Sequence, residues 1–245
     1  MTTVLIVNAD DFGRCAEISA GIVRGHVAGI VTSTSAMVRH AVVEPALRAA
    51  ADHPRLGVGL HLDFGEWAYR EGQWAAVYEV VDLGDEAAVE REAGRQLERF
   101  RALAQREPTH VDSHQHVHRA GPALSVARRL ADELGVPLRQ RTPGIGYCGG
   151  FYGRTATGDP FPEGITVPAL VTLIDGLSAG VTELCCHPGE AGVGDPGYGS
   201  ERAEELRTLC DERVRAAVRR CGITLTSFAA FAGLSVPSSS ARASR

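Results

Sequence analysis

The chain has no C-x-x-C pair, no uncharged apolar run of the roughly 18 residues a membrane span needs, and no surplus of basic residues. Each absence removes a class of function. The six cysteines, Cys15, Cys148, Cys185, Cys186, Cys210 and Cys221, are scattered, which favours free thiols over a zinc site built on thiolates. A net charge of -5 and a pI near 6.0 leave no basic footprint for nucleic acid or an anionic membrane surface. Near the N-terminus, Val4 to Val7 runs straight into a polar, acidic motif, with no basic region and no cleavable apolar stretch. These absences point to the cytoplasm.

What is present is the composition of an ordinary globular protein, 44% hydrophobic and 22% charged over 245 residues. That length suits one domain, and α/β barrels commonly occupy about 200 to 250 residues. Short apolar runs alternate with segments of helical period, which predicts β/α units around a parallel sheet. Strands are expected at 4–7, 30–37, 56–60, 109–113, 138–141 and 182–186. Helices are expected at 16–28, 44–52, 86–105, 122–134, 168–177 and 200–220, with Pro122 in a first turn and Gly135 as a stop. The Gly-rich stretch 144–164 reads as a long βα loop, residues 1–234 as the barrel, and 235–245 as a disordered tail.

Titratable residues gather where these strands end. In Asn8-Ala-Asp-Asp-Phe-Gly13, two carboxylates follow the first strand. On an extended backbone their side chains diverge, so one can bind a metal while the other reaches water or substrate, and the plainer alternative is a helix cap. His61 ends the strand Gly57-Val-Gly-Leu-His61, a place where a histidine could equally be a hydrogen-bonded core residue. His110-Val-Asp-Ser-His-Gln-His-Val-His118 holds four of the nine histidines beside Asp112. In a strand, Asp112, His114 and His116 face one way; in a helical turn, His114 and His118 share a face. Not all can serve one ion, which leaves His116 and His118 as candidates to face substrate. His187, in Cys185-Cys-His-Pro-Gly189, closes a fourth strand.

If these ends converge, Asp11, His61 and His114 make a two-histidine, one-carboxylate set for a divalent metal, with positions open to water and substrate. Magnesium and zinc both fit the ligand types. Such a site can hydrolyse, with a nearby carboxylate accepting a proton and a histidine donating one. The same set could hold non-haem iron, but that leaves the second aspartate and His187 without work. Trp67, Tyr69 and Trp74 follow His61 in a chain with only two Trp residues. They are candidates to stack on a sugar, or to serve as core or a lid hinge. Arg141 is a candidate to hold substrate or orient a carboxylate, or a structural ion-pair residue.

In their order, these motifs together with Gly29-Ile-Val-Thr-Ser-Thr-Ser35 resemble the YdjC-like (ChbG-type) carbohydrate deacetylases over nearly the whole chain. The resemblance implies a distorted (β/α) barrel of TIM type and one divalent ion at Asp11, His61 and His114. It also implies removal of the acetyl group from an N-acetylated sugar such as a chitooligosaccharide or a glycolipid head group. By the same analogy Asp10 is the general base and His187 the general acid, although either aspartate could take either role. The segment from Asp63 to Trp74 departs from the chitobiose-acting members and marks a substrate loop. Hydrolysis of another amide or a phosphoester, and a non-catalytic sugar- or metal-binding protein, are the competing readings. The partner is a small molecule, and a homodimer is compatible with the sequence.

Overall fold

In the computed structural model, which describes residues 2–70, 72–192 and 198–233, the apolar runs form one curled parallel sheet wrapped by helices. The chain order is β1 (Thr3–Phe12), α1 (Ala16–Ala28), β2 (Ser33–Ala36), α2 (Val43–Ala51), β3 (Gly57–Leu62), β4 (Gly65–Arg70), β5 (Gln73–Glu79) and α3 (Glu86–Ala104). It continues with β6 (Val111–Ser113), α4 (Gly121–Leu134), β7 (Ile145–Cys148), α5 (Val167–Asp175), β8 (Gly180–Cys186), α6 (Gly199–Leu209), α7 (Glu212–Arg220) and β9 (Thr224–Thr226). The sheet runs β6-β3-β2-β1-β8-β7. β9 pairs with Val4 to Ile6 of β1, and β2 takes over from Asn8 onward. The fold is therefore α/β, a half-barrel of parallel strands, as expected.

Strand parity divides the interior into two kinds. Leu5, Val7 and Ala9 of β1, Val58, Leu60 and Leu62 of β3, Val111 of β6 and Leu184 of β8 point outward into one hydrophobic core beneath the helices. Most side chains at the alternate positions are polar, Ile6 being an exception: Asn8 and Asp10, Ser33 and Ser35, His61, His110 and Asp112, and Glu183 are all buried. A period of two carries both sets along these central strands.

His110 shows how the polar side is packed. Its ring stacks on Phe228 with centroids 4.1 Å apart, and its Nε2 lies 2.9 Å from Ser35 Oγ. Ser35 donates to Asp112 Oδ2 at 2.6 Å, so it accepts from Nε2–H of a neutral ring. Gly59 makes room for that ring, since a Cβ there would lie 2.4 Å from two of its atoms.

The structure departs from the expected elements in four places, each with a local cause. Residues 138–141 form a single bridge from Leu138 to Val111, because Gln140 is left-handed (φ 59°) and Thr142 folds back to Leu138 O. The 144–164 loop contains β7, which pairs with β8. The 200–220 helix is two helices, and the second begins where Asp211 accepts from Arg213 N. β4 and β5 pair antiparallel outside the main sheet, tied at their base by Tyr78 donating to Asp63. Helices 16–28 and 86–104 follow their apolar stripes, and Gly135 ends α4 at φ 63°. The expected tail, 235–245, lies outside the described residues.

Burial holds the His110 imidazole down at about 4, against 6.5 when exposed. Between those values the unfolded chain takes up a proton that the folded chain refuses, so this residue's contribution to stability is lost as pH falls from about 6.5 to about 4. The shift corresponds to a change on the order of 3 kcal/mol. His110→Asn should therefore be less stable than the parent at pH 7.5, with the gap narrowing across that window. Urea unfolding of both proteins at several pH values reads this directly, and a constant gap contradicts it.

Candidate active site

At the carboxyl ends of β1, β3 and β8, beside the turn after β6, lies a cavity of about 1130 Å3 that reaches Asp10, Asp11, His61, His114 and His187 together. Parallel strands sharing one sheet bring these residues to one end, as the sequence leads one to expect. The two aspartates do not diverge. Asp11 sits at φ 70° and the pairing with β2 slips between Ala9 and Phe12, so a bulge turns both side chains into the cavity. That left-handed backbone is costly for a residue other than glycine, and Arg202 of α6 clamps the carboxylate at 2.6 Å.

Asp11 Oδ1 is buried and has no hydrogen-bond partner among the described residues, although His114 Nδ1 lies 3.2 Å away and His61 Nε2 3.6 Å. Two nitrogens and one oxygen around a tetrahedral cation would stand about 3.3 Å apart, so the spacing fits a divalent ion. The donors are also preset. His61 Nδ1 lies 2.7 Å from Asp112 Oδ1, which directs Nε2 at Asp11. His114 Nε2 faces Glu66 at 3.5 Å and Arg14 at 3.4 Å. Burial lowers the pKa of His114, but Asp11 and Glu66 outweigh it and hold the ring at about 9. The cluster thus attracts positive charge.

Asp10 is governed by Arg139, whose guanidinium is fully buried. Arg139 donates to both Asp10 oxygens at 2.7 and 2.6 Å, lies 2.9 Å from Asp112 Oδ2, and donates Nε–H to Glu183 at 2.7 Å. Burial raises the Asp10 pKa, yet the guanidinium and nearby His61 bring it down to about 2. Glu183 competes for the same cation and loses; burial pushes it up to about 7. One guanidinium cannot keep three buried carboxyls fully charged.

His187 Nε2 lies 3.9 Å from Asp10 Oδ2 across the cavity. Burial pushes this imidazole down to about 4 against the pull of Asp10 and Asp11, so it is neutral at ordinary pH. Its peptide N–H donates to Glu205 of α6 at 2.5 Å. Close packing of Gly21 on Gly189 holds the following turn, since a Cβ on Gly21 would meet Gly189 Cα at 2.5 Å.

The hairpin forms one wall. Gln115, itself left-handed at φ 51°, donates to Trp67 O and accepts from Trp67 N, both at 2.8 Å. This side chain mimics a strand partner and pins the hairpin to the histidine turn. Trp67, Tyr69 and Trp74 all line the cavity, and so does His116, whose Nε2 meets Tyr147 Oη at 3.1 Å. Of the six exposed large hydrophobic side chains among the described residues, Tyr69, Trp74, Tyr152 and Phe161 line this one cavity. Such clustering marks a ligand-binding rim.

Two candidates lie elsewhere. His118 is buried behind the site, 2.7 Å from Ser113 Oγ and 3.3 Å from Arg139 O, where it braces the turn. Arg141 points away and donates to Arg119 O. The residue that matters in this segment is Arg139, which the sequence reading passed over. Arg139 and Arg141 share strand parity, and only the turn at Gln140 separates them. Arg14, Glu66, Arg202 and Glu205 were also missed, because nothing in their local sequence marks them.

A family model described as YdjC-like protein matches residues 4–220. A carbohydrate deacetylase from Geobacillus stearothermophilus is 32% identical over 252 residues, covering 94% of this chain and 99% of the relative. A chitooligosaccharide deacetylase from Yersinia pestis is 30% identical, covering 93% and 99%. Among solved structures, a protein from Enterococcus faecalis named for cellobiose-phosphate cleavage has a TM-score of 0.79 at 26% identity, covering 95% of this chain and all of that one. A family 4 carbohydrate esterase from Streptomyces lividans, in complex with acetate, has a TM-score of 0.55 at 12% identity over 91% of each chain, a likeness of fold.

Removing the Arg139 cation strands buried carboxylates. Arg139→Leu should cost about 3–5 kcal/mol in chemical denaturation, with Arg139→Lys in between. Arg141→Ala should cost about 1 kcal/mol or less. Equal losses at 139 and 141 would contradict the central placing of Arg139.

Proposed function

This chain belongs to the YdjC-like protein family, and on that premise we propose that it is a metal-dependent hydrolase of N-acetylated amino sugars, releasing acetate and a free amine. The observation that carries the reading is the pairing of an ionised Asp10, fixed by Arg139, with a three-donor cation cluster in the same cavity. The names of the relatives, carbohydrate deacetylase and chitooligosaccharide deacetylase, supply the substrate class.

Asp11, His61 and His114 would hold one divalent ion, magnesium or zinc. When bound, such an ion polarises the acetyl carbonyl and makes water more acidic. Asp10 takes the proton from the attacking water as the new C–O bond forms at the acetyl carbon. With its pKa at about 2, Asp10 is in the accepting form throughout the neutral range. The C–N bond then breaks, and the departing nitrogen takes a proton from His187. Because His187 is neutral at rest, the proton it delivers is one gained during turnover, and Asp10 is the nearby acid formed in the first step.

The aromatic rim gives the specificity for sugar. Trp67, Tyr69 and Trp74 on one wall, with Tyr152 and Phe161 also lining the cavity, offer flat apolar faces to pyranose C–H surfaces, and His116 offers a polar contact. The substrate would therefore be an N-acetylglucosamine unit within a larger oligosaccharide or glycoconjugate. The six free cysteines suit a reducing compartment, which supports work in the cytoplasm. Among the described residues no helix is long and apolar enough to cross a membrane.

The test is acetate release from N-acetylglucosamine oligomers by the chelator-stripped protein, before and after return of single divalent ions. Release should depend on the ion. His187→Ala should lose about 10²- to 10⁴-fold in rate, and Asp10→Asn at least as much, with metal still bound. His114→Ala should weaken metal binding itself. Full turnover by Asp10→Asn, or cleavage to a product other than acetate, would overturn the reading.

A further inference from the structure

A second group of metal-type donors stands beside the first. β8 pairs with β1 so that Cys185 lies opposite Asn8 and Cys186 opposite Ala9. Cys186 faces the hydrophobic layer, with its Sγ near Asn8 O. Cys185 faces the cavity, its Sγ 3.5 Å from Asp10 Oδ2, while His187 Nε2 is 3.9 Å from the same oxygen. All three donor atoms lie within 4.8 Å of one another. A tetrahedral zinc ion, with bonds of about 2.3 Å to sulfur and 2.0–2.1 Å to nitrogen and oxygen, sets its sulfur and oxygen ligands about 3.5 Å apart and its nitrogen and oxygen ligands about 3.3 Å apart. The first spacing is already met. The second needs the imidazole to move by roughly half an ångström, and its Nδ1 has no hydrogen-bond partner among the described residues to resist this, Glu205 Oε1 lying 4.0 Å away.

The remaining cluster, Asp10, His61 and Asp112, is unsuited to a cation: Arg139 already contacts both carboxylates, and His61 Nδ1 is engaged by Asp112. In the cysteine-containing cluster Arg139 binds Asp10 as well, but the thiol and imidazole are uncommitted to any other cation.

We propose that Asp10, Cys185 and His187 form a second, inhibitory site for a thiophilic divalent cation, taking Zn2+ in preference to Mg2+. A sulfur ligand favours zinc, whereas magnesium prefers six oxygen ligands. Binding replaces the thiol proton, which leaves to solvent, with a metal–sulfur bond; no electron is transferred. An ion here engages both the proton acceptor and the proton donor, so excess zinc stops turnover while excess magnesium does not. The inhibition rests on the roles proposed above for Asp10 and His187; the binding does not.

The experiment titrates the metal-stripped full chain with Zn2+ by calorimetry and with Co2+ by absorption, then measures acetate release in excess zinc. Wild type should bind two zinc ions per chain, and its cobalt form should show thiolate-to-cobalt charge transfer. Cys185→Ala should bind one zinc ion and lack that band. Cys185→Ser, which keeps a donor to Asp10 and nearly the same volume, guards against a folding defect and should lose the band too. Excess zinc should slow the wild type by about tenfold or more, and each variant much less relative to its own rate without excess zinc. One zinc ion per chain in the wild type, no thiolate band, or equal inhibition of all three proteins overturns the site. Zinc bound through Cys185 with turnover undiminished would uphold the site and instead remove Asp10 and His187 from catalysis.

Discussion

The buried guanidinium of Arg139 is the contact on which the interior depends. Three strands, β1, β6 and β8, each send a carboxylate inward, Asp10, Asp112 and Glu183, and all three meet this one cation. Buried carboxylates without a partner would be costly enough to lose their charge or unfold the sheet. With Arg139 present, a half-barrel can keep a polar inner face while its outer face forms an ordinary hydrophobic core. The same contact keeps Asp10 ionised, so what holds the fold together also sets the charge of the proposed proton acceptor. Asp112 adds a second link: it touches Arg139 and also orients His61 toward Asp11.

Backbone strain is concentrated beside this centre. Asp11, Gln115, His116 and Gln140 are four of the five non-glycine residues with positive φ among the described residues, and all flank the cavity or Arg139. Three of these four are held by specific contacts. Arg202 holds Asp11, the backbone of Trp67 holds Gln115, and Tyr147 holds His116. Strain of this kind persists where surrounding structure overdetermines the geometry, and here it aims side chains that a regular strand would direct elsewhere.

Much of this was legible in the sequence because strand ends carry a strong local signal. Asp10, Asp11, His61 and His187 each follow an apolar run, and parallel pairing brings these strand ends to one side of the sheet. His114 was legible through the density of histidines around it. What stayed hidden depends on turns and on distant partners. The bulge at Asp11 and the turn at Gln140 have no clear local signature, so the carboxylates were expected to diverge and Arg141 was favoured over Arg139. The hairpin strands β4 and β5 carry consecutive apolar residues, as in Trp74-Ala-Ala-Val-Tyr78, with most of β5 facing solvent, so no period of two marks them in the sequence. Arg202 and Glu205 act on the site from α6, nearly two hundred residues beyond Asp11, where no local pattern reports a contact.

The central claim is that Asp11, His61 and His114 hold the working ion beside Asp10. Crystals of the metal-stripped protein given one equivalent of manganese, with anomalous diffraction recorded at the metal edge, test it most directly. The account predicts a single peak within about 2.4 Å of a donor atom from each of Asp11, His61 and His114. A peak on Asp10, His61 and Asp112, or none in the cavity, would contradict it.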